Sequence, residues 1–319
     1  MSVLLALLAQ VLHGALMLAA APLVAGLIRW LQARLQGRHG PPVRQPWRDL
    51  LRLARKQPVL AHHATPVFTL APSVVLASTV VAALLVPSFA LGMTTAPVAD
   101  LLVIAGLLTL GRCALALAAM DVGTAFGGLG ASREMTFAAF VEPALLLVFL
   151  TLSLLAGTTN LDVIAGLLRD ASLGLRVSLG LGLVAAGAVA LAENGRVPVG
   201  NPASHLELTM VHEAMLLEYS GRHLALLEAA AQLKLLLWLT LIAAVFAPFA
   251  IAPDGAGPLA WAIGLAAWAG KVVLLAAALA VFENAVAKMR VFRVPEFLGI
   301  AVLLGLLAAV FLFVSTGFA

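Results

Sequence analysis

Residues 224–250 read LALLEAAAQLKLLLWLTLIAAVFAPFA, an apolar run that carries a carboxylate, Glu228, and an amine, Lys234. A helix rises about 1.5 Å per residue, so about 20 apolar residues cross the roughly 30 Å of bilayer hydrocarbon. Lipid offers no hydrogen-bond partner to an exposed backbone, and a barrel would need short alternating strands, so this run reads as a transmembrane helix. Seven further stretches share its character, at 3–28, 66–87, 98–120, 137–157, 173–192, 259–282 and 297–314. The chain is therefore predicted to be an all-α integral membrane protein with eight transmembrane helices, forming one polytopic membrane domain over residues 1–319.

Composition agrees with that reading. Hydrophobic residues make up 63% of the chain and charged residues 11%, with a mean hydropathy of +1.08. A soluble domain carries about 45–50% apolar and roughly 25% charged residues, so a water-soluble fold is excluded. The first apolar stretch lacks a basic leading region and exceeds the length of a secretory signal, so it reads as a retained span. The single cysteine, Cys113, cannot build a disulfide or a cysteine-ligated iron–sulfur or zinc site by itself. No cofactor is expected to be bound by this chain, and any redox centre belongs to a partner. Interior glycines such as Gly180, Gly182 and Gly187 suit close helix packing.

The net charge of +4 records topology, and no nucleic-acid partner is expected. Of the 19 Lys and Arg residues, 14 fall in one set of alternate loops: eight between Arg29 and Lys56, then Arg133, Arg196, Arg222, Lys288, Arg290 and Arg293. The opposite loops hold Arg169, with Arg176 just inside the next span. By the positive-inside rule the basic loops are cytoplasmic, and eight spans then leave both termini on the non-cytoplasmic side of a bacterial inner membrane. Internal repeats are not evident, which argues against a transporter built from two related halves.

Ionisable groups inside a membrane cost roughly 2.5–3.5 kcal/mol on insertion scales, so each needs a reason. Asp121 closes the third span, Glu142 opens the fourth beside Pro143, and Glu193 closes the fifth. Glu228 and Lys234 lie in the sixth span, Lys271 and Glu283 in the seventh. Bridged by water, such a set conducts protons; the alternative is that each group pairs with a neighbour or snorkels to the interface. The fifth-to-sixth span loop contains HLELTMVHEAMLLEY, residues 205–219, predicted to be an interfacial helix. On such a helix Glu207 and Glu218 share one face, and His205 and His212 another. His212-Glu213 is not the start of a zinc-protease motif, because Leu216 stands where a second histidine is needed. The first cytoplasmic loop, with Gly40-Pro41-Pro42 and a basic amphipathic stretch to Lys56, reads as a membrane-surface helix or as a docking collar for a soluble subunit.

These loops resemble those of the membrane subunit that anchors the peripheral arm of respiratory complex I, the NADH dehydrogenase subunit 1 family. The similarity is closer to the branch in formate hydrogenlyase and hydrogenase-4. Arg38-His39-Gly40-Pro41 meets the family's first-loop pattern, and Ala192-Glu193 followed by Gly195-Arg196-Val197-Pro198 resembles a second. Glu218-Tyr219-Ser220-Gly221 matches a third motif intact. Ser132-Arg133-Glu134, ending the loop at 127–134, and Phe292-Arg293-Val294-Pro295-Glu296 resemble the hydrogenase branch. The likeness covers essentially the whole chain.

The resemblance implies a membrane subunit, not catalytic by itself, of an energy-converting [NiFe]-hydrogenase complex. It would dock hydrogenase-like large and small iron–sulfur subunits on the cytoplasmic side and link them to antiporter-like membrane subunits. The [NiFe] centre and [4Fe-4S] clusters would reside in those partners. It further implies carboxylates between the redox cavity and the membrane at Glu142, Glu193, Glu207, Glu213 and Glu218. With Asp121, Glu228, Lys234, Lys271 and Glu283 they form the expected proton path. The expected docking residues are Arg38, Gly40, Pro41, Arg44, Arg48, Arg52, Arg133, Glu134 and Arg196. Complex I continues the Glu193 loop with Phe-Asp-Leu-Pro-Glu, whereas this chain has Val199-Gly200-Asn201-Pro202-Ala203-Ser204-His205, without the acidic and aromatic character of a quinone chamber. That difference argues against a bound quinone. Two alternatives remain open: the equivalent subunit of a quinone-reducing or hydrogenase-related complex lacking nickel, and an autonomous ion transporter.

Overall fold

Helix dominates the computed structural model, which describes residues 3–61, 63–170, 177–200 and 210–317. In chain order the α-helices are α1 (Val3–Leu35), α2 (Gln45–Ala54), α3 (Pro66–Leu85), α4 (Leu101–Asp121), α5 (Ala125–Ala156), α6 (Leu161–Asp170), α7 (Val177–Glu193), α8 (His212–Leu216), α9 (Gly221–Phe246), α10 (Pro258–Ala285) and α11 (Val294–Gly317). Among the described residues seven helices are long and apolar enough to cross a membrane: α1, α3, α4, α5, α9, α10 and the segment Val291–Ser315 that contains α11. The remaining expected span, 173–192, is represented by α7, a 17-residue apolar helix. Residues 171–176 lie outside the described part.

Two expectations are corrected, and a third element is new. The first is the segment 127–134, expected as a loop, which is the opening of α5. Thr124 caps it by accepting from the Gly127 N–H at 3.2 Å. Side chains are excluded at Gly127 and Gly130: a Cβ would meet the Ala119 carbonyl oxygen at 2.3 Å and the Ala214 methyl at 2.9 Å. These small residues let α5 lie against the end of α4 and against α8, and packing there turns a predicted loop into helix.

The second correction concerns the helix predicted over 205–219. Among the described residues only the five of α8 are helical, because Val211 sits at φ −124° and ψ −81° and breaks any helix arriving from upstream. Arg133 Nη1 donates to the Met210 carbonyl at 2.9 Å, a tertiary bond that fixes the backbone at this break. The shared face assigned to Glu207 and Glu218 therefore has no continuous helix beneath it, and Glu207 with His205 lies outside the described residues. The third is α6, an amphipathic helix at the opposite end of the bundle, unforeseen in the sequence, which buries Leu161, Ile164, Ala165 and Leu168.

Helix α9 is the axis of the bundle. Its apolar window is 72% buried, against 17–44% for the other spans. Trp238, Leu236 and Leu237 along it are fully enclosed, and α9 packs on α1, α2, α3, α7 and α10. Around it, α3, α4 and α5 form one contiguous layer, and α5, α7 and α11 another. Large aliphatic side chains on the outer faces, such as Leu274 and Leu303, stay exposed, as they do when lipid is the solvent.

The helices alternate in direction, so the ends of α1, α4, α7 and α10 gather with the starts of α3, α5, α9 and α11 at one end. The basic loops all emerge there. The segment Tyr219-Ser220-Gly221 is a staple at this end. Tyr219 stacks flat on Phe68 at 4.1 Å between centroids and donates its hydroxyl to the Phe68 carbonyl at 3.0 Å. Burial, assisted by the Asp121 charge, pushes the Tyr219 phenol above its usual pKa and keeps it a donor. Ser220 Oγ accepts from the Val59 N–H at 2.8 Å. Gly221 adopts φ +54°, and a Cβ there would approach the Gln57 carbonyl oxygen to 2.5 Å.

Gly221→Ala is expected to destabilise the folded chain by at least about 1–2 kcal/mol, the cost of a left-handed conformation for an L-residue, with the clash added. Thermal unfolding in mild detergent measures it. Ser220→Ala, which loses only one hydrogen bond, is expected to cost about 1 kcal/mol.

Candidate functional site

Arg112 stands in the interior of α4, and three carboxylates converge on its guanidinium. Nε lies 3.4 Å from Glu134 Oε1 and Nη1 is 2.7 Å from Glu142 Oε1, while Nη2 donates to Glu193 Oε1. A different nitrogen serves each partner, which only the planar fork of arginine allows. Two further groups extend the cluster. Lys234 Nζ is 3.5 Å from the other Glu193 oxygen, and His212 Nδ1 is 3.0 Å from the other Glu134 oxygen. The side chains of Arg112, Glu134 and Glu193 are 5%, 10% and 2% exposed, so the pairs are shielded from water.

Five helices deliver these groups. Glu134 and Glu142 are about two turns apart on α5, and Thr109, one turn before Arg112 on α4, donates its hydroxyl to Glu142 at 3.2 Å. Lys234 comes from the central helix α9 and His212 from α8. Glu193 is the last residue of α7, at the negative end of that helix dipole, where a carboxylate is disfavoured and cations are favoured. Arg112 and Lys234 are those cations. The helix stops there because Gly195 takes φ +56°. Gly195 N–H then donates to the Ala192 carbonyl at 3.0 Å and Arg196 N–H to the Leu191 carbonyl at 2.8 Å, the double bond of a Schellman cap. A side chain at 195 would disfavour this stop, which sets the depth of Glu193.

Three carboxylates, Glu134, Glu142 and Glu193, thus face Arg112 and Lys234, with His212 as a third basic group at the edge of the cluster. His212 Nδ1 faces Glu134 from α8, which ties that short helix to the cluster. A cavity of about 90 Å³ opens beside Arg112, Glu134, His212 and Lys234, and a second of about 20 Å³ touches Glu134, His212 and Glu213. A water needs roughly 10–15 Å³ of such volume, so the first has room for several and the second for one. Asn194, whose Oδ1 is buried without a hydrogen-bond partner among the described residues, lines the larger cavity and supplies a polar site for water. Glu142 departs from this enclosure: its side chain is 37% exposed on the outer wall of the bundle.

The other expected proton-path residues fall elsewhere. Asp121 accepts from the Thr65 N–H at 2.8 Å and the Thr65 hydroxyl at 2.7 Å, bracing the start of α3. Glu283 forms a second cluster, accepting from Gln32 and lying 3.5 Å from Arg196 Nη1. Burial pulls the Arg196 guanidinium below its usual pKa and Glu283 pulls it back up, so the arginine stays charged. Lys271 donates to the Phe249 carbonyl and lies 4.2 Å over the Phe249 ring, away from the Arg112 group. Glu228 is half-buried on α9, Glu213 half-buried beside the smaller cavity, and Glu218 exposed at the basic end.

Among the expected docking residues, Arg38, Pro41, Arg44, Arg48 and Arg52 are exposed at the basic end. Gly40 packs against Ala33 and Trp30 of α1. Arg133, Glu134 and Arg196 turn inward to partners within the chain.

The sequence reading passes over Arg112, weighs His212 only as a metal ligand, and takes Glu134 as a docking contact. An arginine inside the apolar run 98–120 was a signal of the same kind as Lys234. Among the described residues no group of three or more His, Cys, Asp or Glu is arranged to hold a metal ion.

Comparison with known proteins places this geometry in context. The NADH dehydrogenase family profile matches residues 7–315. Hydrogenase-4 component C of Escherichia coli (strain K12) is 36% identical over 238 residues, 73% of each chain. Formate hydrogenlyase subunit 4 of the same organism is 32% identical over 279 residues, 87% of this chain and 89% of that one. A chain in the structure of the membrane-bound sulfane sulfur reductase, an archaeal respiratory membrane complex, superposes with a TM-score of 0.76. It covers 98% of this chain and 100% of its own at 19% identity, a likeness of fold.

Arg112→Gln leaves the buried Glu134 and Glu193 and the part-exposed Glu142 without their shared cation, and breaking a buried ion pair costs about 3–5 kcal/mol. Thermal unfolding of the purified chain is expected to show that loss. The double variant Arg112→Gln with Glu193→Gln is expected to recover part of it, so the two substitutions are non-additive.

Proposed function

The chain belongs to the NADH dehydrogenase family of membrane subunits that includes hydrogenase-4 component C and formate hydrogenlyase subunit 4, and on that premise we propose that it anchors a redox module and couples it to ion movement. The specific reading is the membrane subunit of an energy-converting [NiFe]-hydrogenase of the formate hydrogenlyase type. Its metal centre and iron–sulfur clusters would be held by hydrogenase-like subunits bound at the basic end. Antiporter-like subunits would adjoin it within the membrane. The basic loops would face the cytoplasm and both termini the other side, with α7, lengthened by the residues before it, as the eighth span.

The observation that carries this reading is the convergence of Glu134, Glu142 and Glu193 on Arg112, with His212 and Lys234 beside them. A proton held between His212 and Glu134 is bonded to α8, which lies at the basic end beneath the expected docking surface. Rearrangement of a docked module that moves α8 by a fraction of an ångström changes the His212–Glu134 bond and with it the affinity for that proton. Water in the two cavities would connect Glu213 to the Glu134–His212 pair and onward to Lys234 and Glu193. Arg112 then links these groups electrostatically to Glu142. The 37% exposed side chain of Glu142 marks where the route leaves this chain for a neighbouring membrane subunit. Each tenfold change in proton affinity is about 1.4 kcal/mol, so a few coupled groups can hold a useful part of a small redox drop. Lys271 and the Glu283–Arg196 pair stand apart from this connected set and would act later in the route or only in structure.

Glu193→Gln in the assembled complex tests the reading. Turnover-driven acidification of inverted membrane vesicles is expected to fall at least tenfold, while substrate turnover by the redox module, measured with an uncoupler present, falls far less. Unchanged acidification would remove Glu193 from the path. Loss of the hydrogenase-like subunits from the purified complex would instead assign the cluster to assembly.

A further inference from the structure

Between α2, α3 and α9, at the basic end, a groove of about 500 Å³ opens to the outside of the bundle. That volume lies in the range of small-ligand sites, about 300–1,000 Å³. One wall is apolar, made by Leu50, Leu51 and Ala54 of α2 and by Leu226 and Ala229 of α9. The mouth is cationic: Arg222 is exposed there, with His223 beside it. Beyond the groove lining, the residues after α2 add Arg55 and Lys56, both exposed, and the Arg222 N–H donates to the Lys56 carbonyl at 3.2 Å; Arg52 is paired with Asp49 at 2.9 Å. Among the described residues no acidic side chain lines the groove.

We propose that this groove binds one anionic phospholipid, its phosphate at Arg222 and an acyl chain along the apolar wall. Two features favour that occupant over others. Helix α2 has the build of an interfacial helix, with Arg44, Arg48, Arg52 and Arg55 recurring every three or four residues along one side and Leu50, Leu51 and Leu53 on the rest. Its Trp47 indole donates to the Ala19 carbonyl of α1 at 3.2 Å, which holds α2 against a membrane-spanning helix. The ligand therefore meets the groove from the leaflet and not from bulk water. A cationic mouth above an apolar trough matches a molecule that is anionic at one end and aliphatic at the other. A neutral quinone gains nothing from Arg222.

The lipid would close the seam where α2 leans on α9. This helix carries the exposed arginines of the expected docking surface, so the bound lipid sets the position of that surface. The proposal stands on the groove and its charges and does not depend on the proton route.

The test is lipid retention. The full chain, purified with its native partners in mild detergent, is equilibrated with nanodiscs of phosphatidylcholine containing one-fifth phosphatidylglycerol, re-extracted, and its tightly bound lipid counted by native mass spectrometry. Wild type is expected to retain phosphatidylglycerol at least fivefold over its share of the mixture. Arg222→Gln is expected to abolish that enrichment and Arg222→Lys to keep most of it. Ala229→Trp, which fills the apolar wall and leaves every charge in place, is expected to abolish it too. Arg290→Gln, outside the groove, is expected to leave it unchanged. Equal retention of the two lipids by wild type, or undiminished enrichment in both Arg222→Gln and Ala229→Trp, overturns the proposal. So does recovery of a neutral quinone whose retention falls with Ala229→Trp but not with Arg222→Gln.

Discussion

A guanidinium inside a bilayer can be kept only if anions meet it, and Arg112 meets three. Its Nε, Nη1 and Nη2 each face a carboxylate from α5 or α7, so the placement of these helices is tied to the hydrogen-bonding fork of one side chain. Glu193 ends α7 at a Schellman cap, Glu134 sits where α5 runs past its expected start, and Lys234 projects from the central helix. Move any of these and a charge is stranded in low dielectric, which costs several kcal/mol. The same requirement makes the cluster interdependent: carboxylates from two helices share one guanidinium, and His212 and Lys234 each face one of them.

That interdependence is placed where it can be used. His212, the histidine that completes the cluster, belongs to a five-residue helix held by tertiary contacts rather than by its own turns. Short helices of this kind are stabilised by packing against neighbours, so contact with a docked protein can shift them at low cost. At the far side of the cluster Glu142 is half-open to the outside of the bundle. The cluster thus has one edge toward the basic end and another, at Glu142, toward the outside of the bundle.

Some motifs that look chemical in the sequence are structural in the fold. Of the tetrad Glu218 to Gly221, the tyrosine, serine and glycine fasten the start of α9 to the segment 57–68, and only the carboxylate remains exposed on the surface. Asp121, at a span boundary, braces the first residue before α3. The loop after Glu193 does its work through Gly195, which ends a helix at the right depth. Arg196 turns inward to Glu283 instead of outward.

Hydropathy made the membrane fold legible: residues 224–250 read as a transmembrane span, and those up to Phe246 lie in α9, the most buried helix of the bundle. The basic loops likewise gave the asymmetry of the two ends, and the order of the apolar stretches gave the order of the helices. These features belong to individual residues and their immediate neighbours, since transfer into lipid depends on local composition. Which charges meet does not. Arg112 pairs with residues 22, 30 and 81 positions away, and Glu134 could be read as surface or interior until α5, extended by the small residues at 125–131, carried it beneath α8. Ion pairing in a membrane is a property of several helices packed at once, so the chain declared its solvent by itself, and only the tertiary structure decided how its buried charges are balanced.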